Sequence, residues 1–181
     1  LEAHKKGIRI MVDAVFNHCG RKFMPWTDVL KNGKTSKYAD WFMVENWDDI
    51  HKAGDTRDKR YYSFAFADKM PKLNTNNPAV ANYLLNVCET WVRSYDIDGL
   101  RLDVANELSH TFCRQLYRRM RSLKKEFYLL GEIWRSALPW LRGGELDSVM
   151  NYPLALCFWK FFCDKTLPAL TLERDINAVF T

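Results

Sequence analysis

Short, almost wholly apolar segments alternate with longer segments of helical periodicity along this chain. Each apolar segment predicts a buried parallel strand, and these segments are residues 7–15, 97–104, 127–133 and 146–152. The helical periodicity falls in residues 79–94, 110–125, 154–162 and 172–180. Because strands that alternate with helices pack as a parallel sheet covered on both faces, the sequence predicts an α/β fold. A doubly wound sheet and a (β/α)₈ barrel both satisfy this order.

Polar side chains at the carboxyl ends of the predicted strands distinguish these two folds. They are Asp13, Asn17 and His18 after the first strand, Arg101 and Asp103 in the second, Glu132 in the third and Asn151 in the fourth. Several strand ends that contribute to one site are typical of the (β/α)₈, or TIM, barrel. No glycine-rich phosphate loop follows a strand, which argues against a nucleotide-binding sheet. We therefore predict a partial TIM barrel, and we expect its remaining strands to lie outside these 181 residues.

Residues 19–77 interrupt the alternation of strands and helices. This segment is rich in Lys, Asp, Asn, Gly and aromatic residues and has no long periodic stretch. We interpret it as a small irregular domain inserted into the barrel. The predicted division of the chain is therefore residues 1–18 and 78–181 in the barrel, with residues 19–77 inserted between them.

Composition and charge narrow the classes of partner. The net charge is +5, but the cations gather in residues 114–127, whose apolar residues keep a helical spacing, so we expect a solvated helix face and no nucleic-acid partner. No apolar run approaches the ~20 residues of a membrane span, so we expect no membrane partner.

The five cysteines include no CxxC pair and the four histidines no zinc signature. This pattern favours reduced structural thiols in a cytoplasmic, bacterial-type protein.

The second and third predicted strands carry a pair of carboxylates suited to glycosidic chemistry. Because side chains alternate along a strand, Gly99, Arg101 and Asp103 share one face, while the leucines between them face the helices. Glu132 lies at a comparable level on the next strand. Neighbouring strands are ~4.8 Å apart, so the two carboxylates are expected roughly 5 Å apart, as in a retaining glycosidase. Each residue taken singly is more often a salt-bridge partner or a cap, but several on successive strand ends indicate a catalytic site.

The surroundings of these two carboxylates suggest different protonation states. Arg101 is expected to keep Asp103 ionised, because a nearby cation lowers the pKa of a carboxyl group. Glu132 has only Arg135 as a basic neighbour in the sequence, so a partly desolvated carboxylic acid is expected there, with a pKa near neutral. Gly131 beside it is expected to leave room for close approach of another backbone.

Several motifs resemble the signatures of the alpha-amylase superfamily of glycoside hydrolases. DAVFNH at residues 13–18, GLRLDVANE at residues 99–107 and GEIW at residues 131–134 resemble its first three signatures and occur in the same order. MPKLN at residues 70–74 resembles an additional signature of the neopullulanase, cyclomaltodextrinase and maltogenic amylase group. VANE after Asp103 and DSVMNYP at residues 147–153 are similar to that group as well, so the resemblance covers essentially the whole chain.

The resemblance implies a role for each matching position. Asp103 would be the nucleophile and Glu132 the general acid/base, with Arg101 orienting Asp103. The substrate-binding residues would be His18, Arg101, Glu107 and Trp134. Asp13 and Asn17 would support the site, and in some relatives the Asn contacts a calcium ion. The aromatic residues of the inserted segment are expected to form mostly a small core, with one or two exposed to stack on sugars; they are Trp41, Phe42, Tyr61, Tyr62, Phe64 and Phe66.

The resemblance also implies an activity and an architecture. The reaction would be retaining hydrolysis of α-glucosidic bonds in cyclodextrins, pullulan, starch or maltooligosaccharides, with transglycosylation as a second outcome. No cofactor is expected for the chemistry; a structural calcium ion and a homodimer are expected only for the full-length enzyme. The barrel strands would be about the third to the sixth. A His-Asp pair with the third catalytic carboxylate is expected beyond Thr181, because these 181 residues contain no such dipeptide. Residues 1–181 alone are therefore expected to be inactive.

Two other functions remain open from the residues themselves. Asp13, Asp103 and Glu132 on successive strand ends could imitate the magnesium ligands of an enolase-type barrel, although Arg101 beside them opposes a metal ion. A catalytically silent relative that only binds sugar is the non-enzymatic alternative. Such relatives typically lose one of the two catalytic carboxylates, and this sequence keeps both.

Overall fold

Four parallel strands form one sheet in the order in which they occur along the chain. The computed structural model describes residues 2–166 and 168–180; Leu1, Leu167 and Thr181, which the predicted barrel segments include, lie outside the described residues. The strands are β1 (Met11–Ala14), β2 (Gly99–Leu102), β3 (Tyr128–Ile133) and β4 (Ser148–Asn151). Every neighbouring pair is parallel, which requires a crossover between successive strands. Each observed strand is shorter than its predicted segment, because only the residues paired with a neighbour form the ladder.

Helices supply the crossovers and cover the sheet. They are α1 (Glu2–Lys5), α2 (Met24–Asn32), α3 (Pro78–Tyr95), α4 (His110–Leu123), α5 (Leu138–Leu141), α6 (Tyr152–Phe158) and α7 (Ala169–Phe180). A π-helical turn, Trp159–Cys163, continues α6. The side chain of Asn77 accepts a 2.8 Å hydrogen bond from the backbone N–H of Ala79, which caps α3 at its predicted start. None of the helices in the described part of the chain is long and apolar enough to cross a membrane.

The core lies between the sheet and the long helices α3 and α4. Leu100 and Leu102 of β2 are 0% exposed, as expected of side chains on the helix-facing side of the strand. Their partners include Leu84 of α3 together with Phe112 and Leu116 of α4, which are buried in the same cluster. Burial of one such side chain stabilises a fold by about 1.5–3 kcal/mol. This packing holds the carboxyl ends of β2 and β3 in place and therefore positions the polar residues that follow them.

The inserted segment has more regular structure than the sequence indicated. It contains the nine-residue helix α2, short 3₁₀ turns and isolated antiparallel bridges. Trp26 of α2 is 1% exposed and packs edge-on against Phe42 and Tyr61, with ring centroids 4.7 and 4.8 Å away. The sequence predicted an irregular segment without a long periodic stretch, and a nine-residue helix held by aromatic packing is too short to give a clear periodic signal. The domain boundaries at residues 18 and 77 remain a prediction.

The aromatic residues of this segment divide into buried and exposed sets. Trp41, Phe42 and Tyr61 are buried, whereas Tyr62 and Phe66 are 53% and 57% exposed. Phe64 is half-buried and lies against His18. Three of the six therefore belong to the core, and the remaining three reach solvent or the site described below.

The environment of Gly131 differs from the sequence expectation. A Cβ atom at this position would lie 2.5 Å from Leu146 Cδ1 and 3.2 Å from the Cβ of Ala105. Side chains, not another backbone, therefore approach this glycine. A backbone does approach Gly99, where a Cβ would lie 2.6 Å from the carbonyl oxygen of Tyr128. Gly99 therefore permits the close approach of β3, and Gly131 permits Leu146 and Ala105 to pack against β3.

Candidate active site

Arg101 joins three carboxylates at the carboxyl end of the sheet. Its Nη1 lies 2.8 Å from Oδ1 of Asp13 and 2.8 Å from Oδ1 of Asp103, and its Nη2 lies 2.8 Å from Oε2 of Glu132. Asp13 is the register partner of Arg101 on β1, so the two side chains lie on the same face of the sheet. One guanidinium therefore connects the ends of β1, β2 and β3, whereas the sequence paired Arg101 only with Asp103.

Asp103 is the first residue after β2 and continues the pairing of β2 with β3 by one residue. Leu102 pairs with Gly131, so Asp103 and Glu132 stand at the same level on neighbouring strands. The backbone N–H of Asp103 donates a 3.2 Å hydrogen bond to the carbonyl oxygen of Ala14, which fixes the backbone at this point. The side chain of Asp103 is 19% exposed and lines a cleft. A carboxylate held in this way is accessible to a ligand but restricted in orientation.

Glu132 is more enclosed than Asp103 and accepts several hydrogen bonds. It is 8% exposed, Oε2 accepts a 3.1 Å bond from the backbone N–H of Val104, and Oε1 accepts a 3.4 Å bond from the hydroxyl of Tyr152. Burial raises the pKa of Glu132, but the Val104 N–H and the charge of Arg101 outweigh burial and hold the pKa below its usual value. The expectation of a proton retained near neutral pH was therefore wrong for this arrangement. The positive charge that lowers the pKa of Glu132 belongs to Arg101 on the neighbouring strand β2, and it could not be inferred from the residues next to Glu132 in the sequence.

A cleft of about 440 Å³ opens above these carboxylates. Its walls come from the inserted segment and from the loops after β2 and β3, and they are formed by Phe64, Asp103, Val104, Asn106, Glu107, Glu132, Trp134 and Arg135. Trp134 is 64% exposed and stacks on Tyr152 with centroids 3.9 Å apart and ring planes 10° apart. An exposed aromatic face beside two carboxylates can stack on the apolar face of a sugar ring.

His18 lies beside the cleft and not in its wall. Its ring stacks on Phe64, with centroids 4.8 Å apart and planes 3° apart. Burial lowers the pKa of His18 and Lys72 lowers it further, against the opposing charges of Asp103 and Glu107. The imidazole is therefore biased towards its neutral form, which can donate or accept a hydrogen bond.

Lys72 joins Asn17, a predicted supporting residue, to Glu107, a predicted substrate-binding residue. Asn17 is 1% exposed, and its side-chain oxygen accepts a hydrogen bond from Lys72 Nζ. The same Nζ lies 2.6 Å from Oε2 of Glu107. The structure thus brings Asn17 and Glu107 together, although they are separated by 90 positions in the sequence. Within the described residues, no three His, Cys, Asp or Glu side chains are grouped so that they could hold a metal ion.

Several residues of the site were not predicted as such from the sequence. Lys72 lies within the MPKLN motif and Tyr152 within DSVMNYP, but each motif was read only as a family signature. Phe64 was one of six aromatic residues of which one or two were expected to stack on sugars, but the sequence did not single it out. Val104 contributes its backbone N–H, which no side-chain pattern reveals. The two motifs carried a usable signal for Lys72 and Tyr152, whereas the role of Val104 depends on a backbone conformation.

The chain is similar in sequence to a known protein family and to known bacterial proteins. The family described as "Alpha amylase, catalytic domain" matches residues 1–173. A cyclomaltodextrinase of Geobacillus thermopakistaniensis is 51% identical over 166 residues, which are 92% of this chain and 28% of that protein. A maltogenic alpha-amylase of Bacillus acidopullulyticus is 48% identical over 176 residues, which are 97% of this chain and 29% of that protein.

A solved structure shows the same fold. The ligand-free cyclic alpha-maltosyl-(1-->6)-maltose hydrolase of Arthrobacter globiformis superimposes with a TM-score of 0.88 at 34% identity, covering 99% of this chain and 40% of that one. The chain spans only 28% and 29% of the two curated relatives above. These similarities confirm the family resemblance of the motifs and the partial (β/α)₈ barrel.

Proposed function

Because the chain belongs to the alpha-amylase catalytic-domain family, we propose that it carries the central part of an enzyme that hydrolyses α-glucosidic bonds with retention of configuration. Asp103 is the nucleophile and Glu132 the general acid/base. The substrates are cyclodextrins, pullulan, starch or maltooligosaccharides, and transfer to a second sugar is the alternative fate of the same intermediate. The names of the relatives, a cyclomaltodextrinase and a maltogenic alpha-amylase, support this class of substrate.

The observation that carries the proposal is the shared contact of both carboxylates with Arg101. Oδ1 of Asp103 lies 2.8 Å from Nη1 and Oε2 of Glu132 lies 2.8 Å from Nη2 of one guanidinium, so a single cation holds both carboxyl groups together. An inverting glycosidase keeps its carboxyl groups roughly 6.5–9.5 Å apart to admit a water molecule, whereas a retaining one keeps them at about 5 Å. The close pair supports the retaining mechanism.

The reaction proceeds in two displacements. The carboxylate of Asp103 attacks the anomeric carbon while Glu132 gives a proton to the departing glycosidic oxygen, and a covalent glycosyl-enzyme forms. Glu132, now ionised, takes a proton from water, which attacks the anomeric carbon and releases Asp103. When the hydroxyl of another sugar replaces that water, the outcome is transglycosylation. Two inversions give net retention.

The protonation of Glu132 must change when a substrate binds. In the free protein its pKa is held below the usual value by the Val104 N–H and by Arg101, against the effect of burial. A sugar that fills the cleft removes water from Glu132, and loss of solvation raises the pKa of a carboxyl group. Substrate binding therefore prepares the acid that the first displacement needs.

The residues around the cleft have binding roles in this proposal. His18 donates a hydrogen bond to the sugar on the non-reducing side of the cleaved bond. Trp134 and Glu107 border the acceptor sugar, and both line the cleft beside Glu132. Asp13 and Asn17 support Arg101 and Lys72, respectively. We also propose that the full-length protein forms a homodimer and is located in the cytoplasm.

The position of Arg101 weighs against the enolase-type alternative. Its guanidinium lies among Asp13, Asp103 and Glu132 and occupies the centre that a magnesium ion would need. The presence of both catalytic carboxylates likewise weighs against a catalytically silent sugar-binding protein.

The anomeric form of the first product tests the mechanism. The intact natural protein is supplied with an α-linked maltooligosaccharide, and proton NMR follows the new reducing end before mutarotation. Retention predicts that the α-anomer appears first. Initial appearance of the β-anomer would exclude Asp103 as a nucleophile, and loss of turnover on chelation with recovery only by magnesium would favour the metal-dependent alternative.

A further inference from the structure

The ammonium group of Lys72 is surrounded by oxygen atoms from two other parts of the chain. It donates to Oδ1 of Asn17, lies 2.6 Å from Oε2 of Glu107 and lies 3.4 Å from the backbone carbonyl oxygen of Glu107. The Lys72 side chain is 17% exposed. An amide, a carboxylate and a carbonyl oxygen therefore bind one largely enclosed cation.

The backbone on both sides of Lys72 is fixed to the end of β1. The N–H of Cys19 donates to the carbonyl oxygen of Pro71 at 3.0 Å, and the N–H of Leu73 donates to the carbonyl oxygen of Asn17 at 2.9 Å. Lys72 itself forms an antiparallel bridge with His18. These bonds fix the backbone position of Lys72. Its side chain therefore extends from a fixed point and places the ammonium between Asn17 and the turn that contains Glu107.

Oxygen ligands of these three kinds are also those that bind Ca²⁺ in proteins. A calcium ion at Asn17 would need the same Oδ1 that Lys72 already binds. It would also sit within a few ångströms of an ammonium, where two positive charges repel each other. The residues present therefore do not fit a calcium ion at this position.

We propose that Lys72 is a built-in cation that takes the place of a metal ion at Asn17. Its ammonium links the inserted segment to the ends of β1 and β2 and holds the Glu107 carboxylate at the mouth of the cleft. The junction consequently needs no calcium. Lys72 is a positioning residue, since it acts through Asn17 and Glu107.

Replacing the ammonium by a carboxylate should convert this position into a calcium site. Lys72→Asp leaves the oxygens of Asn17 and Glu107 in place and adds a further ligand. Lys69→Asp makes the same change of charge at an exposed lysine of the same loop and serves as the control. The intact natural protein and both variants are freed of metal with a chelator and titrated with Ca²⁺ by calorimetry, and the thermal midpoint is measured at each calcium concentration.

The expected result is that Lys72→Asp binds one Ca²⁺ more than Lys69→Asp and is stabilised by it in a saturable manner. Equal stoichiometry in the two variants would overturn the proposal. So would loss of a bound Ca²⁺ from the otherwise natural protein on Asn17→Ala. If Lys72→Asp does not fold, Lys72→Met is compared with Lys69→Met. A Tm lower by several degrees only for Lys72→Met supports the proposal, and equal midpoints contradict it.

Discussion

The backbone N–H of Val104 donates a 3.1 Å hydrogen bond to Oε2 of Glu132. Val104 adopts a left-handed conformation, with φ and ψ both 46°, which is unfavourable for a β-branched residue and costs on the order of 1–3 kcal/mol. That conformation turns the chain immediately after Asp103 and points its amide at the carboxylate of the next strand. Backbone strain of this kind persists where the surrounding structure requires it, and here it connects the two proposed catalytic residues.

Removing either carboxylate should have a distinct effect. Asp103→Asn removes the proposed nucleophile, so activity on every substrate should nearly disappear. Glu132→Gln removes the proposed general acid/base and leaves Asp103 in place, so turnover of substrates with poor leaving groups should fall by roughly 10²–10⁴-fold. An α-glucosyl fluoride should still form the covalent intermediate in Glu132→Gln, because fluoride departs with little assistance. Initial rates and mass spectrometry of the trapped protein measure both effects.

The matched controls for this pair are Asp164→Asn and Glu173→Gln, which change the same groups at exposed positions. Both should retain full activity. If Glu132→Gln formed the covalent intermediate no faster from the fluoride than from a maltooligosaccharide, its assignment as general acid would be contradicted.

Arg101→Lys should damage turnover far more than stability. The guanidinium binds Asp103 and Glu132 through different nitrogens, and a lysine ammonium cannot reproduce that planar contact. Misplaced catalytic groups can cost on the order of 100-fold in rate, so we expect kcat to fall by about that factor while Tm changes little. The exposed Arg142→Lys is the control. Near-normal kcat in Arg101→Lys would show that Arg101 is only a structural cation.

Asp98 should stabilise the fold at neutral pH and lose this contribution in acid. Burial raises the pKa of Asp98, but hydrogen bonds from Lys124, the backbone N–H of Ile10 and His4 outweigh burial and hold it well below the usual value. A carboxyl whose pKa is lower in the folded state stabilises the fold above the unfolded value of about 3.9, and this contribution is lost as pH falls below it. Asp98→Asn should therefore lower the free energy of unfolding by about 2 kcal/mol at pH 6–7.

The test compares denaturant unfolding of Asp98→Asn and the natural protein from pH 7 down to pH 3. The difference between them should shrink below about pH 4. A difference that stays constant across this range would mean that Asp98 acts through its shape and not its charge. Asp164→Asn provides the exposed control.

Gly131→Ala should destabilise the protein by about 1–3 kcal/mol. The new methyl group would lie 2.5 Å from Leu146 Cδ1 and 3.2 Å from Ala105 Cβ, so the buried Leu146 must move. Because Gly131 precedes Glu132, activity should fall together with stability. Gly20→Ala, at a position with open space around it, is the control. A Tm of Gly131→Ala equal to that of Gly20→Ala would show that Leu146 can move aside without a loss of stability.

The sequence by itself predicted the order of strands and helices, because apolar strands and helical periodicity are local patterns. It also placed Asp103 and Glu132 at one level, since residues two apart on a strand share a face and neighbouring parallel strands align their carboxyl ends. The buried state of Leu100 and Leu102 followed from the same alternation. Each of these properties depends on spacing within a few residues.

Only the tertiary structure decided how the charges are arranged. The pKa of Glu132 falls because Arg101 from another strand and the N–H of a left-handed Val104 reach it, and neither contact follows from the neighbours of Glu132 in the sequence. Lys72 binds Glu107 across 35 positions of the chain for the same reason. Electrostatic and hydrogen-bonding effects depend on distance in space, and distances between remote segments are set only when the core packs.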